Sequence, residues 1–229
     1  VKGGGHGDYQ LIVLAPGSVQ EMADLTTLGF DLADKWRNPV MILSDGILGQ
    51  MMEPVVFEES QAILSVEKEW ATTGAVNRKP NVVNTLDIIP ESFEQKLLKL
   101  MAKYERIKDE EVRWEEVGTE DAELILVGYG TSARVARSAM DLARKEGLKV
   151  GLFRPITLFP FPERQLRALA KPERKFLAVE MSAGQMIEDV RLAVNGQSPV
   201  HLSNRLGGMV PTPEDVLAKM REILEGRGN

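Results

Sequence analysis

Three places in this chain gather residue types that could do chemistry. The first is Gly128-x-Gly130-x-x-Ala133, with Thr131 inside it, between an apolar run and an amphipathic stretch. Glycines so placed let backbone amides approach a phosphate at a helix N-terminus, which is the minimal dinucleotide fingerprint. An NAD site also needs a carboxylate near the end of the next strand, about 20 residues on, for the ribose hydroxyls. That position reads Phe153-Arg154-Pro155, with no acid. Arg154 can instead meet a 2′-phosphate, so an NADP- or phosphate-binding module at Gly128-x-Gly130 stays open beside a plain strand-to-helix turn. The second place is Asp45 in Ser44-Asp45-Gly46, at the carboxyl end of an apolar run, where α/β sheets put ligands. An Asp-Gly turn is the plainer account of it. The third is Gly5-His6-Gly7-Asp8, whose His6 and Asp8 can line a pocket or tighten a surface turn. Glu180 is the best-placed acid of the C-terminal half, either as a base or as a partner for an Arg or the following helix.

What the chain lacks narrows this further. With no Cys among 229 residues there is no disulfide, thiolate zinc site or Cys-ligated iron–sulfur cluster within it. The two His, His6 and His201, are far apart, and no G-x-S-x-G occurs, so neither a metal set nor a Ser-His-Asp triad is arguable. A net charge of -6 without a basic face speaks against nucleic acid. No apolar run approaches the roughly 20 residues of a membrane span, and no secretory signal is present. The chain reads as cytoplasmic.

The elements that position these residues follow from periodicity. Leu124 to Val127 is uniformly apolar, as a strand buried on both faces is. Thr131 can cap the helix that follows, which ends at Gly147, and Val150 to Phe153 completes a βαβ unit. Earlier, Leu11 to Leu14 is a strand, Ser18-Val19-Gln20-Glu21 a capping box, and the helix it opens ends at Asn38-Pro39 before the strand Val40 to Leu43. Two strands and one helix do not make a stable domain. The front of that fold is missing or comes from another chain, and the start at Val1 without Met reads as the rear part of a longer polypeptide. Residues 50 to 57, Met-rich and broken by Pro54, suit either partner contact or a core loop.

Residues 60 to 90 read as an irregular connection. Pro90 then opens a long helix whose narrow stripe, Phe93, Leu97, Leu100, Met101, Tyr104 and Ile107, suits a bridge lying across another surface. Val112 to Val117 alternates like an edge strand. Thr157 to Pro162 reads as a stiff loop, Glu163 to Ala170 as a short helix, and Lys175 to Glu180 as a strand. Gly184 leads to a helix, Pro199 to Ser203 is an edge strand, and Thr212-Pro213 starts the last helix. The C-terminal part is therefore a mostly parallel sheet covered on both faces.

The order of motifs resembles the alpha subunit of 2-oxoacid:ferredoxin oxidoreductases. It rests on Gly-Gly-His-Gly-Asp before Leu11 to Pro16, on residues 18 to 22 and 38 to 46, and on Gly49 to Pro54. Residues 120 to 133, 154 to 162, 180 to 186 and 205 to 213 agree as well, and Asp45-Gly46 with residues 50 to 54 looks most like the branched-chain, 2-oxoisovalerate type. The resemblance implies a C-terminal fragment: a partial pyrimidine-type thiamine-diphosphate domain (residues 1–60), a connection with the long helix (61–114), and a transketolase C-terminal-like three-layer α/β/α domain (115–229). It implies oxidative decarboxylation of a 2-oxoacid to an acyl-coenzyme A, with electrons passed to ferredoxin. Thiamine diphosphate with Mg is shared with a beta subunit, iron–sulfur clusters sit on partner chains, and the fragment alone is inactive and binds no cofactor. A homodimer is open. No catalytic residue carries over. Gly5, His6 and Asp8 are expected nearest the cofactor, and Gln50, Met51, Met52, Glu180 and Gln185 at subunit contacts.

Overall fold

The computed structural model describes residues 3, 5–57 and 67–226, which build two sheets meeting along one seam. The first sheet centres on β1 (Ile12–Leu14), all three residues of which are buried. β2 (Val40–Ile42) pairs with it in parallel after the helix α1 (Val19–Trp36), with Ile12 opposite Val40. Asn38 closes the turn before β2 by donating from Nδ2 to the Gln10 carbonyl. The second sheet has the order β3-β5-β4-β7-β8, built from β3 (Trp114–Val117), β4 (Leu124–Val127), β5 (Val150–Pro155), β7 (Lys175–Glu180) and β8 (Val200–Asn204). Only the edge strand β3 runs antiparallel.

Alternation along β4 divides the core of this second unit. Leu124 and Leu126 face α3 (Gly130–Lys145) and α6 (Pro213–Leu224), packing with Ala136, Ala139, Val216 and Met220. Ile125 and Val127 face α4 (Glu163–Leu169) and α5 (Met186–Val194), packing with Phe153, Phe176, Ile187 and Val190. The α6 start is the full capping box: Thr212 Oγ1 accepts the Asp215 amide at 3.1 Å and the Asp215 carboxylate accepts the Thr212 amide at 3.2 Å.

Two local expectations are corrected. Residues 157 to 159 are not loop: β6 (Thr157–Phe159) leaves the second unit and pairs antiparallel with β1, closing the first sheet on its other side. Its run is too short and too hemmed by prolines for periodicity to reveal a strand, but β1 offered a bare edge, and unpaired buried amides are costly. The capping box at α1 is half formed. Ser18 Oγ accepts the Glu21 amide at 3.1 Å, but the Glu21 carboxylate takes the Gly17 amide at 2.7 Å and the Arg154 guanidinium instead of reaching back.

The long helix α2 (Pro90–Glu110) bridges as its stripe suggests, over its second half. Tyr104 and Ile107 are buried against the first core, with Tyr104 edge-on to Phe159 at 6.4 Å, whereas Phe93 in the first turn remains 43% exposed. Glu111, just past its end and buried, accepts from Lys35 Nζ at 2.6 Å, Trp36 Nε1 at 2.8 Å and Arg113 Nη1 at 3.1 Å. Burial pushes this carboxyl up, but those donors outweigh it and hold its pKa below the usual range.

At the seam, buried Arg154 of β5 donates from both terminal nitrogens to Glu21, at 2.8 and 2.7 Å, and from Nε to Glu115 at 2.8 Å. Gly17 lies so near that an added Cβ would stand 2.8 Å from Arg154 Nη1. Burial raises the Glu21 pKa, but the Arg154 hydrogen bonds, the Gly17 amide and the Arg154 charge win, so it is lowered. Removing the guanidinium strands two acids at a partly buried joint. Arg154→Met is expected to lower unfolding free energy by about 3 kcal/mol in urea titration, whereas Lys219→Ala, in an exposed pair with Glu222, changes it by less than about 0.5 kcal/mol. Glu21 and Glu111 have depressed native pKa values, so their stabilisation is present above the ordinary carboxylate pKa and is lost as pH falls through the native values. The melting temperature should hold between pH 7 and 5 and drop below about pH 4, less steeply in Arg154→Met.

Candidate functional site

The second sheet changes direction at β4. The chain steps from β4 to β5 on one side and then returns to place β7 on the other, so the loops leaving β4 and β7 diverge to opposite faces. Open α/β sheets bind ligands in the crevice such a divergence leaves at the carboxyl ends of the strands. Here that crevice, about 160 Å³, is lined by Tyr129 and Ser132 after β4, by Glu180 and Ser182 after β7, and by Asp45 from the first unit.

Both acids are already committed to helix N-termini. Asp45 Oδ2 accepts the Thr131 amide at 2.8 Å and Oδ1 accepts the Thr131 hydroxyl at 2.8 Å, while Oδ1 also takes the Ile47 and Leu48 amides at 3.1 and 2.9 Å. The anion seat at α3 is therefore filled by a side chain of the first unit. Burial raises the Asp45 pKa, and the Leu48 and Thr131 amides, the Thr131 hydroxyl and the Ile47 amide overcome it, for a net lowering. Gly130, at φ 56°, is required here because a Cβ would stand 2.7 Å from Asp45 Oδ2. The expected capping of α3 by the Thr131 hydroxyl is corrected: Tyr129 occupies the cap position without a side-chain bond, and Thr131 donates to Asp45. Arg154, the candidate for a 2′-phosphate, is held by Glu21 and Glu115. The glycine turn is a joint between units and not a nucleotide cradle.

Glu180, 5% exposed, closes α5 in the same way. Its oxygens accept the amides of Gln185, Met186 and Ile187 at 2.9, 3.0 and 2.8 Å, and the Ser182 hydroxyl at 2.7 Å. It serves the following helix, one of the two roles its position allowed. Between the acids stands Tyr129, whose phenol burial pushes up in pKa, reinforced by the negative charges of Glu180 and Asp45. It stays a protonated donor at neutral pH.

The remaining sequence candidates are not among the residues that line this crevice. Gly3 lines a second cavity of about 380 Å³ with Tyr129, Leu158, Phe161, Gln185 and Met186. Gly5, His6 and Asp8 follow it in an exposed bend, so the N-terminal loop and Gln185 come to the same side of Tyr129. Gln50, Met51 and Met52 lie at and beyond a single 3₁₀ turn (Leu48–Gln50) that Asp45 supports, and Met52 is 99% exposed. Sequence reasoning passed over Glu53, Gln20 and Tyr129. Glu53 accepts the Val19 amide at 3.0 Å and Arg134 Nη2 at 2.8 Å, bracing α1 against α3, and lies inside a Glu-Pro pair with no periodic signal.

Among the described residues no three His, Asp or Glu gather as metal ligands. In the crevice the Ser182 hydroxyl donates to the Glu180 carboxylate at 2.7 Å, an acid that three backbone amides also engage. Asp45, Glu21 and Glu53, the acids at the carboxyl ends of the first sheet, are engaged within the chain. The crevice can orient and donate hydrogen bonds. No helix among the described residues is long and apolar enough to cross a membrane.

Comparison with known proteins identifies both units. Residues 5–113 match the pyruvate flavodoxin/ferredoxin oxidoreductase thiamine diphosphate-binding domain, and residues 122–216 match pyruvate:ferredoxin oxidoreductase core domain II. The ketoisovalerate oxidoreductase subunit VorB of Methanothermobacter marburgensis is 51% identical over 97% of this chain, which spans 63% of that relative. The 2-oxoglutarate synthase subunit KorA of Methanocaldococcus jannaschii is 32% identical over 93% of the chain and 64% of the relative. A 2-oxoglutarate:ferredoxin oxidoreductase structure from Magnetococcus marinus superposes with a TM-score of 0.71, covering 95% of this chain and 43% of that one at 23% identity, which supports the fold. The subunit letters differ between these relatives, so the alpha designation does not follow from them. With both domain models met in succession, the chain belongs to the 2-oxoacid:ferredoxin oxidoreductase family.

Proposed function

We propose that this chain is part of the catalytic subunit of a thiamine-diphosphate-dependent oxidoreductase for branched-chain 2-oxoacids. The reaction decarboxylates the 2-oxoacid, transfers its acyl group to coenzyme A and passes a pair of electrons to ferredoxin. The observation that carries the substrate class is the gap between 51% identity to a ketoisovalerate oxidoreductase subunit and 32% to a 2-oxoglutarate synthase subunit, each over more than nine-tenths of the chain. In this reading residues 1–60 are one side of the cofactor domain, 61–114 the connection and 115–229 the C-terminal domain. Gly5, His6 and Asp8, exposed in the N-terminal loop, approach the pyrimidine side of thiamine diphosphate. The diphosphate with its Mg belongs to a beta-type partner. The iron–sulfur clusters lie outside these 229 residues, which hold no Cys.

The segment's own work is assembly in the cytoplasm. Gln50, Met51, Met52 and Gln185 contact partner subunits directly, while Glu180, being buried, acts by holding the loop that presents Gln185. The full-length protein with its partner subunits is expected to reduce a viologen dye in a coenzyme A-dependent manner. Its kcat/KM should be at least about tenfold higher for 2-oxoisovalerate than for 2-oxoglutarate. Equal or reversed preference would overturn the substrate class, and no coenzyme A-dependent reduction would overturn the enzyme reading. The rival nucleotide module is checked separately. With Asp45 and Glu21 filling the sites a phosphate needs, titration of the chain with NADPH should show no saturable binding up to about 1 mM.

A further inference from the structure

The segment after the 3₁₀ turn combines a fixed backbone with bare apolar side chains. The Val56 amide donates to Gln20 Oε1 at 2.8 Å and the Val56 carbonyl accepts from Gln20 Nε2 at 3.0 Å, so one glutamine of α1 grips the chain as a strand partner would. Gln20 Nε2 is in turn oriented by Asp24 Oδ1 at 2.9 Å. Three residues earlier, Glu53 is fixed by the Val19 amide and by Arg134. Between and beyond these anchors Met52 is 99%, Val56 70% and Phe57 80% exposed. A backbone held in place with its apolar side chains in water is the geometry of a preorganised binding element, since the ordering entropy of association is already met.

The α1 face beside it carries a row of acids. Asp24, Asp31 and Asp34 follow Gln20 on one face of α1, at helical spacings of seven and three, with Phe30 flanking them at 73% exposure. Asp34 pairs with Lys68 at 2.6 Å and Asp24 is engaged by Gln20. A twofold contact between copies of this chain would set that acidic face against itself. The chain's net charge of -6 adds to the repulsion.

We propose that Met52, Val56 and Phe57 form an apolar hook, positioned by Gln20, that inserts into a different polypeptide whose pocket is apolar and rimmed by Lys or Arg facing Asp24 and Asp31. This deepens the assembly role proposed above for residues 50 to 52 and rests on it, but not on the substrate class. A photo-cross-linking variant, Phe57→p-benzoylphenylalanine, in the full-length protein within its native complex is expected to cross-link to a different chain, at a peptide containing Lys or Arg. Gln20→Ala should cut the yield about tenfold with the melting temperature unchanged within about 2 °C, and Asp31→Lys should cut it in a salt-dependent manner. A cross-link to a second copy, a cross-link within the same chain, or a yield indifferent to Gln20→Ala would overturn the hook. A complex that prefers another 2-oxoacid yet cross-links as expected would overturn the substrate reading alone.

Discussion

The two units keep one arrangement because acids of the first sit on positive groups of the second. Asp45 closes the N-terminus of α3, Glu21 takes the guanidinium of Arg154, and Glu53 joins the first amide of α1 to Arg134 of α3. Each contact satisfies donors that would otherwise be orphaned at a helix end or in a buried side chain, and each is charge-assisted. Such bonds tolerate little displacement, so they fix position more strictly than an apolar seam of equal area. The strand exchange of β6 into the first sheet works in the same sense, since β6 follows directly on the β5 segment that carries Arg154. Gly17 and Gly130 are the steric counterpart, because a Cβ at Gly17 would crowd the Arg154 guanidinium and one at Gly130 the Asp45 carboxylate.

This seam decides how the glycine turn is to be understood. Strand, Gly-x-Gly and helix supply the geometry for holding a phosphate, and a free helix N-terminus would complete it. The Asp45 carboxylate occupies that end at a local concentration no dilute ligand matches. The same holds at α5, where Glu180 uses both oxygens on three amides. The crevice between them retains a protonated phenol and two serines, groups that can donate hydrogen bonds.

What periodicity and caps determine was legible. β4, β7, α3, α5 and α6 stand within a residue or two of where runs of Leu, Ile and Val, terminating glycines and the Thr212-Pro213 start put them. The second half of α2 buries the stripe its spacing marks. What was not legible depends on partners far away in sequence. Glu21 and Arg154 are 133 positions apart, and Asp45 and Thr131 are 86 apart. The Ser18 capping box failed because a guanidinium, absent from its local sequence, competed for the same carboxylate. β6 was missed because a three-residue strand exists only through the edge it meets. At the candidate site, Asp45 and Glu180 could be placed at strand ends from sequence, but which helix each would close could not.

The contrast between the seam and the outer surface bears on assembly. At the seam the acids, amides and guanidinium groups are matched within the chain. Outside it, Val82, Leu86 and Ile88 are 83%, 72% and 83% exposed along an irregular stretch that runs directly into the projecting first turns of α2. Asp87 fixes that junction: Lys96 first, then the Ser92 hydroxyl and the Ile89 amide, hold its carboxyl down at about 2. Apolar side chains on loose loops can fold back upon themselves, whereas those anchored at Asp87, like those anchored by Gln20 and Glu53, cannot. An isolated chain carries this exposed apolar surface with no gain in its own stability, a property the two anchored stretches share.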